Sequence, residues 1–176
     1  IKVQDVDGNG VITTDDRIIY SQRPDVTFGF NNTFNYKGFD LSVFLYARLG
    51  QWIAYDYNTT YRINALENGG NVDYWTPENP TNAFPCPNKS KSYTQVTYYS
   101  TLKYEDGSFF KIRDITLGYT FKPELLKHLN LSKLRVYATA KNFFTFSKID
   151  NYDPEQGGSI SFPMTKQLVF GLNVEF

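Results

Sequence analysis

Histidine, cysteine and methionine are almost absent from this sequence, which has one of each among 176 residues. Cys86 cannot form a disulfide within the chain, and His128 lacks the partner side chains that a catalytic base requires. With 18 basic and 18 acidic residues the formal net charge is zero, which gives no electrostatic reason to expect a nucleic-acid partner. A glycine-rich phosphate loop is also missing. We therefore predict neither an enzyme nor an organic cofactor.

Long apolar runs are missing too, and none approaches the roughly 18–20 residues of a membrane helix. Residues 1–5 lack the apolar segment of a signal peptide, and we expect Ile1 to be internal to a longer precursor. Aromatic residues, in contrast, make up 18% of the chain, although the mean hydropathy is −0.44. This combination is typical of a membrane barrel, in which polar and apolar residues alternate, and also of an aromatic-rich soluble β-domain.

Apolar and polar residues alternate regularly in three segments and less regularly in two more, each of roughly ten residues, the length at which a tilted strand crosses a bilayer. They are residues 27–36, 39–49, 109–121, 134–146 and 166–176. In the last segment Leu168, Phe170, Leu172, Val174 and Phe176 share one face, which we expect to contact lipid. The phase breaks within 109–121, which predicts a bulge near Arg113-Asp114. The alternative is that Lys111 and Arg113 reach lipid headgroups.

The links between these segments alternate in length. Lys37-Gly38 is typical of a tight hairpin turn, and 122–133 is a compact link in which Pro123 can begin a helical turn. Long loops cover 50–108 and 147–165. Short turns at one end and long loops at the other favour an all-β, antiparallel transmembrane β-barrel. A soluble sandwich remains the alternative, although its strands average about 5–6 residues.

Residues 1–26 form a separate region, predicted to be an extracellular loop, which contains an EF-hand-like motif from Asp5 to Asp16. The motif predicts a Ca²⁺ or Mg²⁺ site, because a hard cation needs about six oxygen ligands. The predicted ligands are Asp5, Asp7, Asn9, the Val11 carbonyl, Thr13 and Asp16. Position twelve is Asp instead of Glu, which weakens bidentate ligation. The alternative is an Asx/Gly turn without an ion.

Aromatic residues crowd the first long loop. They are Trp52, Tyr55, Tyr57, Tyr61, Tyr74 and Trp75, followed by Tyr93, Tyr98 and Tyr99. Aromatic faces stack on sugars and on apolar ligand groups, so Trp52, Tyr55, Tyr57, Tyr74 and Trp75 are candidate substrate-binding residues. The alternatives are an interfacial aromatic girdle and packing within the loop itself.

A series of motifs in the same order resembles the carboxy-terminal region of SusC/RagA-type TonB-dependent transporters. The series is residues 5–17, Pro24-Asp25, Phe28-Gly29-Phe30, residues 36–42, residues 74–80, residues 109–119, residues 134–137, residues 141–145, residues 152–155 and the terminal Phe176. The resemblance covers nearly the whole chain, but within 50–108 it is limited to residues 74–80. The ordered series is specific, although no single motif is.

The resemblance implies a barrel of about 22 strands, of which this chain would supply the last five. Five strands cannot close a barrel, so the remaining strands and an amino-terminal plug are expected partners. It also implies import of glycans or peptides across the outer membrane, with a SusD-like surface lipoprotein as a lid, and with energy from TonB. The long loops would be extracellular and the carboxy terminus periplasmic, with Phe176 read as an assembly signal. The competing function is that of a soluble secreted β-domain that binds calcium and carbohydrate.

Overall fold

The computed structural model describes residues 3–60, 69–90 and 99–176. Within these residues the chain forms two antiparallel sheets. The strands are β1 (Val26–Tyr36), β2 (Phe39–Leu49), β3 (Trp52–Ala54), β4 (Tyr104–Asp106), β5 (Phe109–Thr120), β6 (Lys133–Ser147) and β7 (Gln167–Glu175). The large sheet has the order β1-β2-β5-β6-β7, and β3 pairs with β4 in a small sheet. The five predicted long strands are therefore confirmed.

Helical structure in the described residues is limited to single turns. These are α1 (Asp56–Thr59), α2 (Pro123–Leu126) and short 3-10 helices at Thr14–Asp16, Tyr99–Lys103, Lys127–Leu129 and Pro154–Gln156. Among residues 3–60, 69–90 and 99–176, no helix combines the length and the apolar character needed to cross a membrane.

The two short links join strands at the same end of the large sheet. Lys37 and Gly38 both have positive φ, 48° and 91°, as the two central residues of a type I′ hairpin turn require. A side chain at position 38 would also lie 2.8 Å from the Thr120 carbonyl oxygen. The second short link begins its helical turn with Pro123 at the first position, as predicted. The long loops therefore leave from the opposite end.

A bulge divides the sheet at Arg113. In β2, Phe44 pairs with Asp114 and Leu45 pairs with Ile112, so Arg113 is left without a partner there. On the other side of β5, Arg113 lies opposite two residues of β6, Asn142 and Phe143. Asn142 adopts a left-handed conformation with φ of 58°. The extra residues let the apolar alternation continue on one face of the sheet. The predicted bulge is confirmed.

One face of the large sheet consists of apolar side chains that no second layer covers in the described residues. Leu172 and Phe170 are 67% and 77% exposed, and the predicted soluble alternative would require such side chains to be buried. Lipid provides the environment that these side chains need. The exposed members are Phe28, Phe30, Phe34, Tyr36, Phe39, Leu49, Phe110, Leu117, Phe144, Phe146, Leu168, Phe170, Leu172 and Val174.

The opposite face carries polar and charged side chains that interact across strands. Arg135 of β6 donates two hydrogen bonds to Asp40 of β2, at 2.9 Å and 2.5 Å. This pair passes over β5 at Gly118, where a Cβ atom would lie about 2.4 Å from the Arg135 guanidinium. Gly171 of β7 likewise leaves room for the ring of Tyr137. In a barrel this face lines the lumen.

The described parts of the long loop over 50–108 contain regular structure and contact the second long loop. They contain β3, α1 and β4, and Ile53 and Tyr55 pack with Ile149 of the second long loop into a buried cluster. Asp56 N donates to the carbonyl oxygen of Gly158, which also joins the two loops. The alternation analysis did not predict these short elements. Strands of three residues are too short for a period-2 pattern to reveal them.

Candidate functional sites

The predicted cation loop brings three carboxylates together in front of β1. Carboxylate oxygens of Asp5, Asp7 and Asp16 lie within 4.8 Å of one another, and Asp16 is buried. Three negative charges at this separation repel one another unless a cation lies between them. The oxygen-only donor set fits a hard divalent ion such as Ca²⁺ or Mg²⁺.

Backbone N–H groups orient the same carboxylates. Asp5 accepts hydrogen bonds from Gly8 N and Gly10 N, both at 2.7 Å. Asp16 accepts from Val6 N and Thr13 N at 2.7 Å, which closes the loop as a capping box on the 3-10 helix Thr14–Asp16. The hydrogen bonds from Thr13 and Val6 lower the pKa of Asp16 below its ordinary value. Asp16 is therefore held in the ionised form that a metal ligand requires.

The other predicted ligands make contacts of their own within the loop. Asn9 accepts from Val11 N through its side-chain oxygen, and its amide nitrogen donates to Asp7 at 2.8 Å. The Thr13 hydroxyl accepts from Asp15 N at 3.2 Å. The convergence therefore concerns Asp5, Asp7 and Asp16, and cation binding by these three and by Asn9, Val11 and Thr13 stays a prediction.

The predicted aromatic residues of the first loop separate into packed and exposed groups. Tyr55 is 5% exposed and lies in the buried loop cluster, where burial raises the pKa of its hydroxyl. Tyr57 stacks on Tyr55 and contacts Tyr152, with ring centroids 5.8 Å and 6.2 Å away. Trp52 stacks on Tyr20 at 4.0 Å. These contacts favour the interpretation of packing within the loop for Tyr55 and Tyr57.

Tyr74 and Trp75 are 41% and 42% exposed, and thus accessible to a ligand. Trp75 borders a cleft of about 450 Å³ that is also lined by Phe84, Pro85, Cys86 and Leu102. The cleft is open to solvent and combines an aromatic side chain with polar ones from Thr81 and Asn82. Substrate contact at Trp52, Tyr74 and Trp75 stays a prediction. Tyr61, Tyr93 and Tyr98 lie outside the described residues, and Tyr99 begins a 3-10 helix.

A buried ion cluster joins the second long loop to the sheet, and sequence reasoning missed it. The side chain of Lys111 is fully buried, and its Nζ lies 2.6 Å from Asp153 and 2.8 Å from Glu155. Arg113 makes a second contact with Glu155 at 3.1 Å. The alternative in which Lys111 and Arg113 reach lipid headgroups was therefore wrong, because both side chains lie on the polar face.

Phe176, the predicted assembly signal, follows β7 and is 94% exposed. It has no described contact that would assign it a packing role in this chain. Its function in assembly stays a prediction.

Comparison with known proteins places the chain among outer-membrane receptors. The TonB-dependent receptor P3 of Formosa agariphila is 31% identical over 195 residues, which cover 98% of this chain and 18% of the relative. The TonB-dependent receptor SusC of Bacteroides thetaiotaomicron is 31% identical over 180 residues, which cover 98% of this chain and 17% of SusC. No family model matches the sequence.

Solved structures give the same answer. The RagAB peptide importer in its "closed-closed" state matches with a TM-score of 0.73 and 27% identity, covering 98% of this chain and 20% of the importer chain. Its "open-open" state matches with a TM-score of 0.66 and 28% identity, over 94% of this chain and 19% of the importer chain. The chain thus spans about one fifth of the length of the proteins that it matches.

An apolar outer face, a polar inner face and two open sheet edges agree with a segment cut from a larger barrel. The similarity to named outer-membrane receptors extends over nearly every residue of the chain. The chain belongs to the SusC/RagA-type family of TonB-dependent outer-membrane receptors and forms a five-stranded segment of their β-barrel.

Proposed function

We propose that the chain is part of a TonB-dependent transporter that imports oligosaccharides or peptides across the outer membrane of a Gram-negative bacterium. The observation that carries the proposal is the five-stranded sheet with an uncovered apolar face, in a chain related to SusC and RagA over 98% of its length. A soluble carbohydrate-binding domain would need to bury that face, and no described element packs on it. The transporter function is therefore favoured over the soluble one.

The proposed orientation follows from the lengths of the links. The turns at Lys37-Gly38 and 121–132 lie at the periplasmic end, and the loops over 50–108 and 148–166 are extracellular. The carboxy end of β7 is then periplasmic. The ordered outer loops provide a surface on which a SusD-like lipoprotein can act as a lid. The remaining strands, the plug and contact with TonB would come from the rest of the transporter.

The cation loop has a structural role in this proposal. A Ca²⁺ ion among Asp5, Asp7 and Asp16 would fix the chain that enters β1 at the extracellular end. No neighbouring base or nucleophile is placed to use a bound water, so the ion would not serve catalysis. An affinity as weak as about 10⁻⁴–10⁻³ M is sufficient outside the cell.

Limited proteolysis of the intact transporter tests the cation site. Calcium should protect residues 3–25 in the wild type, and chelation should remove the protection. Asp16→Asn should abolish the calcium effect, whereas Asp15→Asn should keep it, because Asp15 is not among the converging carboxylates. Equal cleavage of the wild type with calcium and with chelator would contradict the site.

Uptake measurements test the transport function. A strain with the intact gene deleted should lose accumulation of labelled oligosaccharide or peptide while still taking up the corresponding monomer. A protonophore should abolish uptake in the complemented strain, because the energy comes through TonB. A tagged transporter should co-purify with a surface lipoprotein. Unchanged accumulation of both oligomer classes in the deletion strain would contradict the proposal.

A further inference from the structure

Two arginines on the polar face contact the ring of one tyrosine near the extracellular end of the sheet. The guanidinium carbon of Arg48 lies 5.5 Å from the ring centroid of Tyr46, and that of Arg113 lies 5.4 Å from it. Arg48 follows Tyr46 along β2, whereas Arg113 occupies the bulge of the neighbouring β5. We call Tyr46, Arg48 and Arg113 the guanidinium patch.

The patch is rigid on the side that faces the sheet. The Tyr46 hydroxyl accepts a hydrogen bond from Arg48 Nε at 2.8 Å, and the Tyr46 ring contacts Phe44 and the buried Phe109 at 6.4 Å and 5.8 Å. A cation held over an aromatic face keeps its outward N–H groups available for an anion. Arg48 is therefore positioned before any ligand arrives.

Arg48 is the cation of the patch that has no carboxylate partner among the described residues. Arg113 interacts with Glu155, and the buried Lys111 uses both Asp153 and Glu155, so these two cations and two carboxylates balance. The neighbouring Asp114 pairs with Lys141 at 3.8 Å. In the part of the chain that the structure describes, Arg48 has no ion pair, and its one hydrogen bond leaves the terminal N–H groups without a partner.

We propose that the guanidinium patch binds a carboxylate group of the cargo in the barrel lumen, with Arg48 as the direct contact. The inference rests on the proposed transport function and adds a preference for acidic cargo. A guanidinium fork matches the two oxygens of a carboxylate, and the half-buried surroundings strengthen the attraction. Tyr46 is a positioning residue, and Arg113 adds positive potential. An acidic side chain from the remainder of the same transporter is the other possible source of the carboxylate.

Paired probes on the immobilised intact transporter distinguish these sources. One pair is a library of capped octapeptides with a central Glu and the same library with Gln. The other pair is oligogalacturonate and its methyl ester. Retention is measured by mass spectrometry. It should favour the charged member of at least one pair by about threefold to tenfold, a preference that lies between the contribution of an exposed ion pair and that of a charge-assisted hydrogen bond. Higher salt should lower the ratio.

Variants assign the preference to the patch. Arg48→Gln should reduce the ratio to about one, and Arg48→Lys should keep part of it, because the charge remains but the fork is lost. Lys122→Gln, at the opposite end of the sheet, should behave as wild type. Heat-modifiable migration on gels checks that every variant folds.

Two outcomes would overturn the inference. The first is equal wild-type retention of charged and neutral members. The second is a ratio that survives Arg48→Gln; if that variant also has a lowered melting temperature, the carboxylate belongs to the transporter itself. Retention of none of the four probes would contradict the proposed transport of these oligomers, and the inference with it.

Discussion

The buried ion cluster at Lys111 allows a sharp prediction about the second long loop. Lys111→Met removes the only fully buried cation from the cluster and leaves Asp153 and Glu155 close together, at 12% and 10% side-chain exposure. Breaking a buried ion pair costs about 3–5 kcal/mol. Arg113 still contacts Glu155, and both carboxylates retain some access to water. We therefore expect a smaller cost, about 2 kcal/mol, in the free energy of local opening.

Hydrogen exchange followed by mass spectrometry on the intact transporter measures this cost. A loss of about 2 kcal/mol corresponds to roughly 30-fold faster exchange in peptides over 148–166. Peptides over 122–133, at the other end of the sheet, should not change. Lys148→Met is the matched control, because the Lys148 side chain is 81% exposed and its pair with Asp106 should contribute little.

A second set of variants separates charge from shape. Adding Asp153→Asn and Glu155→Gln to Lys111→Met removes the uncompensated charges, so exchange should slow again toward the wild-type rate. Unchanged exchange in Lys111→Met alone would refute the reasoning, because the cluster would then not hold the loop. Faster exchange that the added substitutions do not reduce would show that lost packing, and not charge, is responsible.

Three further predictions concern other parts of the chain. Leu172→Arg, on the apolar face, should destabilise the folded barrel by about 2–4 kcal/mol near the bilayer midplane, whereas Asn173→Arg should change urea stability little; equal losses would contradict the assigned faces. Hydrogen bonds from Ser108 and Lys148 lower the pKa of Asp106 to about 2, so its stabilising contribution is complete above the ordinary value of 3.8 and is lost as the pH falls toward 2. Lys148→Ala should remove only a small part of it, about 0.2–0.5 kcal/mol, because the Lys148 side chain is 81% exposed, so pepsin cleavage of the long loops at pH 2–4 should change little. Phe176→Ala in the intact transporter should lower the amount of heat-modifiable barrel in outer membranes without changing uptake per folded molecule; an unchanged amount would count against the assembly role.

The sequence predicted the features that are encoded locally. Alternation along 167–176 and 39–49 predicted strands with an apolar face, and the Lys37-Gly38 dipeptide predicted the hairpin turn. The break in phase predicted the bulge at Arg113. The cation motif lies within twelve consecutive residues, so spacing alone predicted the convergence of Asp5, Asp7 and Asp16.

The features that the sequence did not predict depend on residues far apart in the chain. Lys111 contacts Asp153 and Glu155, which lie 42 and 44 residues further along the chain. The alternation of apolar and polar residues cannot reveal such a pairing. The short strands β3 and β4 are separated by the largest loop, and each is only three residues long. Burial of Tyr55 likewise follows from the docking of the second loop, so its packing could not be distinguished from ligand contact by residue type.

Accessibility of spin labels along β7 is the most direct test of the membrane-barrel account. Single cysteines at positions 168, 169, 170, 172, 173 and 174, placed in a Cys86→Ser background of the intact transporter in lipid vesicles, would be labelled and read by electron paramagnetic resonance. Labels at Leu168, Phe170, Leu172 and Val174 should collide with dissolved oxygen, whereas labels at Val169 and Asn173 should collide with a water-soluble nickel complex. The same accessibility to both reagents at every position would contradict a strand with one face in lipid and one in the lumen.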